Sequence, residues 1–193
     1  LSMAYNLKDV FYLDTSVTIA AATAAGGVGQ LDLSAYIDPV ARGRSKGTGL
    51  GIYKVHWNVM RSGDDSDPID DAEVGEFSFG LLAGFGSGDL ATGDANMTDT
   101  AFSNTNNLLI SSGQFYGPRS QISNASNPMT WFPNIMVEPS IEVPYVVVRD
   151  NVCLCYQIHT QMTSATHLSV RLEVAQLSLD QATLNQLLRT QTV

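Results

Sequence analysis

The chain has 193 residues, of which 44% are hydrophobic and 15% are charged, and its formal net charge is −9. This length suits one domain with one buried core. The negative charge argues against a surface built to bind nucleic acid, because that affinity depends on Lys and Arg facing phosphates. The charged fraction is below the ~25% typical of soluble domains. We therefore expect residues 1–193 to form a single domain whose exterior is either polar and uncharged, as in extracellular proteins, or covered by partner chains.

Short segments that alternate apolar and polar residues follow one another along the chain, and no helix-like stretch occurs until its end. This spacing is typical of an antiparallel β-sandwich with eight strands. The connections after the fourth and fifth strands are long, and Ser178 or Asp180 can cap a short C-terminal helix that carries Leu184, Leu187 and Leu188. The predicted strands span 10–20, 30–37, 50–60, 74–82, 107–116, 141–149, 152–162 and 168–179.

In two of these strands the sequence also predicts details of their structure. The third alternates most clearly, and it predicts a core face together with an outer face that bears Ile52 and Lys54. In the last strand the apolar residues occupy even-numbered positions up to Val174 and odd-numbered positions from Ala175, which predicts a bulge or a bend. The predicted core face of the third strand consists of Tyr53, Val55, Trp57 and Val59.

Cys153 and Cys155 are two residues apart on a predicted strand, so their side chains should share a face and remain thiols rather than form a disulfide. Together with His159 they are spread too far along an extended strand for one zinc ion to reach all three. The glycine cluster 84–88 lacks the Lys-Ser/Thr of a phosphate-binding loop, and no nucleophile-elbow sequence accompanies the histidines. The sequence therefore predicts no enzyme activity and no cofactor.

An acidic run could supply hard oxygen ligands for calcium through Asp64, Asp67 and Asp70. The spacing of an EF-hand is missing, and Pro68 interrupts the run. The alternative interpretation is a solvated acidic loop.

Charge is distributed unevenly along the chain. Half of the ten basic residues lie between Arg42 and Arg61, whereas residues 62–118 contain acidic side chains and no Lys or Arg. This asymmetry predicts that a basic loop with Arg42, Arg44 and Lys46 meets the acidic stretch 64–71 of a second copy. Two independent solvated loops are the alternative.

Two aromatic residues, Trp131 and Phe132, lie in a predicted irregular segment and are interface candidates. A lid over the end of the core is the alternative for them. Trp131 with Glu138 is also the one pairing that we nominate for a sugar site, which needs an aromatic ring near a carboxylate.

The tracts Gln-Leu-Asp-Leu-Ser-Ala-Tyr at 30–36, Gly-Ile-Tyr-Lys-Val-His-Trp at 51–57 and Leu-Ser-Val-Arg-Leu-Glu-Val at 168–174 give the chain a layout that resembles single jelly-roll coat proteins of icosahedral viruses. The chain is similar in this respect to capsid proteins of uncultured marine or archaeal viruses. The resemblance implies two four-stranded sheets and edge-to-edge assembly of copies, with or without other coat proteins, in a virion. Many coat proteins have an Arg-rich N-terminal arm; this sequence lacks one, so we expect no strong nucleic-acid binding.

Two other functions fit the same composition. A secreted carbohydrate-binding module shares the sandwich and acts as a monomer. A surface-filament subunit donates an exposed N-terminal strand to its neighbour, and segment Leu1–Asp9, with its alternating Met3, Tyr5 and Leu7, could serve in this way. No stretch reaches the ~20 apolar residues of a membrane helix, which predicts no membrane span.

Overall fold

The computed structural model describes residues 10–38, 46–63, 67–83, 101–118 and 134–191. Within them lie nine strands and one helix. The strands are β1 (Phe11–Ile19), β2 (Gly27–Asp32), β3 (Lys46–Arg61), β4 (Glu76–Ala83), β5 (Leu109–Tyr116), β6 (Asn134–Val137), β7 (Tyr145–Val147), β8 (Asn151–Thr160) and β9 (Thr166–Asp180). The helix α1 spans Gln181–Thr190.

The strands form two antiparallel sheets, one with the order β1-β9-β3-β7 and the other with the order β2-β8-β4-β5-β6. Their pairing is nested, since the first strand pairs with the last, β2 with β8, β3 with β7, and β4 with β5. A long antiparallel ribbon that is rolled up in this way is a jelly roll. The predicted all-β jelly-roll sandwich is therefore confirmed.

Several strand boundaries differ from the prediction. The second sheet has a fifth strand, β6, in a stretch expected to be irregular, so the implied pair of four-stranded sheets is not what forms. β2 ends at Asp32, because the Asp32 carboxylate accepts a hydrogen bond from Ser34 N–H at 2.8 Å and begins a turn. β7 is only three residues long and follows a turn at 140–143.

The core lies between the sheets, where inward side chains from both pack together and most of them are buried. Four aromatic residues stack through its middle: the ring centroids of Trp57 and Phe79 are 4.5 Å apart, those of Phe77 and Phe79 5.9 Å, and those of Phe77 and Phe115 5.0 Å. Trp57 Nε1–H donates to Ser111 Oγ at 2.8 Å and so joins the two sheets by a hydrogen bond.

The bulge or bend predicted near Ala175 in the last strand is not found in β9, which continues without interruption to Asp180. The apolar residues change face there because the outward-facing Leu177 and Leu179 pack with Leu184 of α1.

A bulge lies on the partner strand β3 instead. The pairing of β3 with β9 shifts between Ile52 and Lys54, so that Tyr53 is an extra residue on β3. The bulge exchanges the inward and outward positions along β3. Ile52 therefore faces the core and has no exposed surface. Its predicted position on the outer face is therefore wrong, because simple alternation cannot anticipate an inserted residue.

Two lateral sides of the sandwich differ in how they close. On one side β1 and β2 touch: a Cβ added to Gly29 would lie 2.5 Å from Val17 Cγ1, so only glycine fits there. On the other side lie β6 and β7. Gln191 completes β7, because its side-chain amide donates to Val146 O at 2.6 Å and accepts from Val148 N–H at 3.2 Å.

The C-terminal helix follows the sequence prediction. Asp180 is the N-cap, and its carboxylate accepts a hydrogen bond from Thr183 N–H at 2.7 Å. Leu184 is buried, and Leu187 and Leu188 pack beside it. No helix in the described ranges has the length and apolar character needed to cross a bilayer.

Candidate functional site

The outer face of the four-stranded sheet carries a regular grid of polar side chains. Strand pairing sets alternate residues of β1, β9 and β3 side by side in rows. The rows are Tyr12, Glu173 and Lys54; then Asp14, Arg171 and His56; then Ser16, Ser169 and Asn58; then Thr18, His167 and Met60. The grid arises because each of the three strands alternates apolar inward and polar outward residues.

Side-chain size turns this grid into a trough. The third row contains two serines and an asparagine, whereas its neighbouring rows contain long or bulky side chains. The resulting open concavity has a volume of about 850 Å³. We call it the sheet trough; its outward-facing lining residues are Tyr12, Asp14, Ser16, His56, Asn58, His167, Ser169, Arg171 and Glu173.

Two interactions order one end of the sheet trough. His56 Nε2 lies 2.8 Å from Glu173 Oε1, on a diagonal between β3 and β9. The guanidinium carbon of Arg171 lies 5.9 Å from the ring centroid of Tyr12, in a cation–π arrangement. Within the described ranges, no hydrogen bond or ion pair engages the side chains of Asp14 and Asn58, so both are available to a ligand.

The outer face of the five-stranded sheet has a different character. One half is covered by residues 101–108, whose Ala101 and Phe102 pack on Leu82, Cys153 and Cys155. Its other half is open and has a smaller concavity of about 300 Å³, where His159 Nε2 lies 3.9 Å from Glu76 Oε2.

The two cysteines lie under this cover. They share a face as predicted and form no disulfide. Burial raises the pKa of both thiols, and for Cys155 the neighbouring Cys153 raises it further. Thiolate chemistry is therefore suppressed, which fits the prediction that these residues pack as small hydrophobes.

Of the five predicted interface residues, Lys46 alone lies in the described ranges. Arg42, Arg44, Trp131 and Phe132 lie outside the described residues. Lys46 begins β3, is exposed, and pairs in register with Asp180. The pKa of Asp180 is lowered by hydrogen bonds from Thr183 and Ala182 and by the charge of Lys46.

The calcium candidates are not brought together in the part of the chain that the structure covers. Asp64 lies outside the described residues. Asp67 is exposed, and Asp70 uses its carboxylate to accept a hydrogen bond from Ala72 N–H at 2.9 Å. The described ranges contain no group of three His, Cys, Asp or Glu side chains able to hold a metal ion. Calcium binding stays a prediction.

The sequence interpretation missed a buried carboxylate at one end of the sandwich. Glu73 is 1% exposed; its Oε1 accepts hydrogen bonds from Gly75 N–H and Thr163 N–H, both at 2.8 Å, and its Oε2 accepts one from Ser164 N–H at 3.2 Å. Burial raises the pKa of this carboxyl, but the hydrogen bonds from Thr163, Gly75 and Ser164 outweigh burial and leave the pKa lowered. Glu73 therefore ties the connection before β4 to the turn between β8 and β9.

The sheet trough was also missed, although a signal for it exists. His167, Ser169, Arg171 and Glu173 alternate with buried residues along β9, which places all four on one outward face. Only the pairing register, however, sets Tyr12 and Asn58 beside them.

No family model matches the chain, and no curated protein matches it. Among solved structures it is similar to apo VP1 of New Jersey polyomavirus, with 9% identity, a TM-score of 0.40, and coverage of 88% of this chain and 100% of that one. It is also similar to VP1 of Trichodysplasia spinulosa-associated polyomavirus in complex with GM1 oligosaccharide (8% identity, TM-score 0.40, 93% and 97% covered). The third is Merkel cell polyomavirus VP1 with disialyllactose (9% identity, TM-score 0.38, 92% and 99% covered). At these TM-scores the likeness carries no argument about function.

Proposed function

We propose that this chain is a viral coat-protein subunit that assembles with copies of itself into a closed icosahedral shell in the virion. The observation that carries the proposal is an apolar edge, formed by Met136, Ile141 and Val143, which are 61%, 65% and 73% exposed. These residues are half of the six exposed large hydrophobic side chains in the described ranges. An exposed apolar cluster of this kind is typical of a surface that binds another protein.

The apolar edge lies where a second copy can reach it. β6 and β7 are the outermost strands of their sheets on the same lateral side. The turn between them is held by two hydrogen bonds, from Ser140 N–H to Val143 O and from Val143 N–H to Ser140 Oγ, both at 3.1 Å. A turn already fixed in this way loses little conformational entropy when Ile141 is buried in a contact.

The opposite lateral side, formed by β1 and β2, offers a second surface. Val10, which precedes β1, is 48% exposed there. A contact between two unlike edges of identical subunits repeats around a ring, and such rings close into symmetric assemblies. Edge-to-edge contact between the apolar edge and the β1 side would therefore suit a shell.

Charge supports contacts between copies as well. The basic run 42–46 leads into β3 and the acidic stretch 64–71 follows it, and β3 is 16 residues long. At ~3.3 Å per residue the two charged segments adjoin points roughly 50 Å apart in one subunit. We propose that they attract each other across copies, and this attraction should weaken as salt is raised.

The sequence resemblance to coat proteins of marine or archaeal viruses supports the same function. Trp131 and Phe132, the aromatic interface candidates, lie two to three residues before β6 in the sequence. The net charge of −9 suits a shell protein that does not itself grip the genome.

Sedimentation velocity on the purified full chain tests the proposal. We expect the wild type to sediment as large particles and the double variant Ile141→Ser/Val143→Ser to sediment as a 20.8 kDa species. Val74→Ser is the matched control, because Val74 is 38% exposed in the connection before β4, outside the apolar edge. It should assemble like the wild type. Wild-type assembly by the double variant would contradict the role of the edge.

The electrostatic part of the contact has its own test. Arg42→Gln/Arg44→Gln should assemble less completely than wild type at low salt, and the difference should disappear at high salt. Equal assembly of both proteins across the whole range would refute pairing between the basic and acidic segments. Fibres instead of closed particles would indicate a filament subunit.

A further inference from the structure

We propose that the sheet trough binds a short, uncharged oligosaccharide. This inference does not depend on assembly, because every residue of the sheet trough belongs to one chain. It gives the outer face of the four-stranded sheet a recognition function that a purely structural subunit does not need.

The sheet trough contains both hydrogen-bond donors and hydrogen-bond acceptors. A sugar hydroxyl both donates and accepts, so a site for sugars needs donors and acceptors interleaved at short spacing. Asp14 only accepts, Arg171 only donates, and the Asn58 amide does both. The pairing register puts Asp14 opposite Arg171, and puts Asn58 opposite Ser169. In the described ranges, Asp14 and Asn58 use none of this capacity on other side chains.

The sheet trough also contains an exposed aromatic ring. The apolar C–H face of a sugar ring packs well on an aromatic ring. Tyr12 is 63% exposed at one end of the sheet trough, where the Arg171 guanidinium, 5.9 Å from the ring centroid, orders it. A large exposed aromatic side chain in a polar face is unexplained by core packing, and a stacked ligand accounts for it.

The charges of the sheet trough favour a neutral ligand. The sheet trough contains two carboxylates, Asp14 and Glu173, and one guanidinium, Arg171. An anionic ligand would therefore meet at least as much repulsion as attraction. Uncharged sugars avoid this conflict, so we expect neutral glycans to bind better than sialylated ones.

The size of the sheet trough suits a short oligosaccharide. A volume of about 850 Å³ lies within the range of small-ligand sites, roughly 300–1,000 Å³. From Tyr12 to Ser16 the sheet trough runs along four residue steps of β1, or about 13 Å at ~3.3 Å per residue. It crosses three strands that are ~4.8 Å apart. These dimensions fit an extended oligosaccharide better than a single sugar.

A printed glycan array that contains neutral and sialylated oligosaccharides tests the proposal with the full-length chain. We expect binding to at least one neutral oligosaccharide, and we expect the affinity for the strongest of them to fall about tenfold in Tyr12→Ala and in Asn58→Ala. The matched control is Gln114→Ala, which removes an amide from the outer face of the other sheet. It should bind like wild type.

Three results would overturn the proposal. These are the absence of any neutral glycan binding on the array, binding confined to sialylated glycans, and wild-type affinity in both Tyr12→Ala and Asn58→Ala. Thermal unfolding of each variant shows whether it is folded, and because both residues are exposed we expect unchanged midpoints. Assembly of the same variants separates the two proposals: glycan binding can be lost while particles still form.

Discussion

The outer faces of the two sheets have opposite designs. On the four-stranded sheet, alternate residues of β9 from His167 to Glu173 are polar and form an open surface with the sheet trough. Further along β9, Leu177 and Leu179 pack with Leu184 of α1. On the five-stranded sheet, five consecutive residues of β8, Val152 to Tyr156, are buried, because one side faces the core and the other lies under Ala101 and Phe102. The comparison shows that a strand buried on both sides marks a covered face, whereas strict alternation marks a face left for solvent or a ligand.

The largest expected effect tests whether the covered face contributes to stability as a second core. Leu82→Ala removes a fully buried side chain between the sheet and residues 101–108. We expect it to lower the free energy of unfolding by about 2–5 kcal/mol. Ser16→Ala, on the open face, should change it by less than about 0.5 kcal/mol. Urea unfolding measures both, and equal effects would show that residues 101–108 do not seal the sheet.

A pair of glutamates sharpens the same contrast between buried and open positions. In Glu73→Gln the backbone N–H groups face an amide instead of a carboxylate. The free energy of unfolding should fall by about 1.5–3 kcal/mol, as expected for the loss of hydrogen bonds to a charged group. Glu173→Gln, on the open face beside His56, should cost less than about 1 kcal/mol, because exposed ion pairs are weak. Urea unfolding at pH 7 gives both values. A larger loss of unfolding free energy in Glu173→Gln than in Glu73→Gln would contradict the view that the buried glutamate stabilises the chain more.

The same glutamate predicts a dependence on pH. The pKa of Glu73 is lowered from 4.5 in the folded chain, so the unfolded chain binds its proton more readily. The stabilisation by Glu73 is therefore fully present above about pH 4.5, the unfolded value, and it is lost as pH falls through the lower folded pKa. Glu73→Gln should abolish this part of the acid sensitivity. The difference between the wild-type and Glu73→Gln unfolding free energies should thus shrink in acid; a constant difference would contradict it.

A smaller effect concerns the contact between Phe102 and Gly80, where residues 101–108 pack on the five-stranded sheet. A Cβ added to Gly80 would lie 2.5 Å from Phe102 Cδ1, so Gly80→Ala should force the ring away and cost about 1 kcal/mol. In a Phe102→Ala background the same substitution should cost much less, since the clash is gone. A double-mutant cycle by urea unfolding measures the coupling, and additive effects would mean that Phe102 does not pack on Gly80.

The least perturbing test uses thiols as reporters. Cys153 and Cys155 should react only slowly with an aromatic disulfide reagent at pH 8, because they are buried and their pKa values are raised. A cysteine introduced on the open face by Ser16→Cys should react at a rate close to that of an exposed thiol. Rapid labelling of Cys153 and Cys155 in the folded chain would show that residues 101–108 do not stay packed over them.

Local patterns in the sequence were sufficient for most of the fold. Period-two alternation located all but one of the strands, and Asp180 with the three leucines located the helix. β6 was missed because it is four residues long and its pairing with β5 is decided by tertiary contact. Ile52 was placed wrongly because the extra residue Tyr53 exchanges the inward and outward positions of β3, and simple alternation does not reveal an inserted residue.

The candidate sites were harder to predict because they depend on register. The sheet trough joins residues up to about 160 positions apart, such as Tyr12 and Glu173, which become neighbours only when β1 pairs with β9. Glu73 gave no sequence signal, since its partners are backbone N–H groups of a distant turn. The apolar edge stands out only when exposure is known, because Met136, Ile141 and Val143 look like ordinary strand residues in the sequence.

Cryo-electron microscopy of the purified full chain tests the central claim, self-assembly into a shell, most directly. The account predicts closed, symmetric particles in which Ile141 and Val143 are buried against a neighbouring copy. A protein that remains a 20.8 kDa monomer at every concentration and ionic strength, with this turn exposed to solvent, would contradict it.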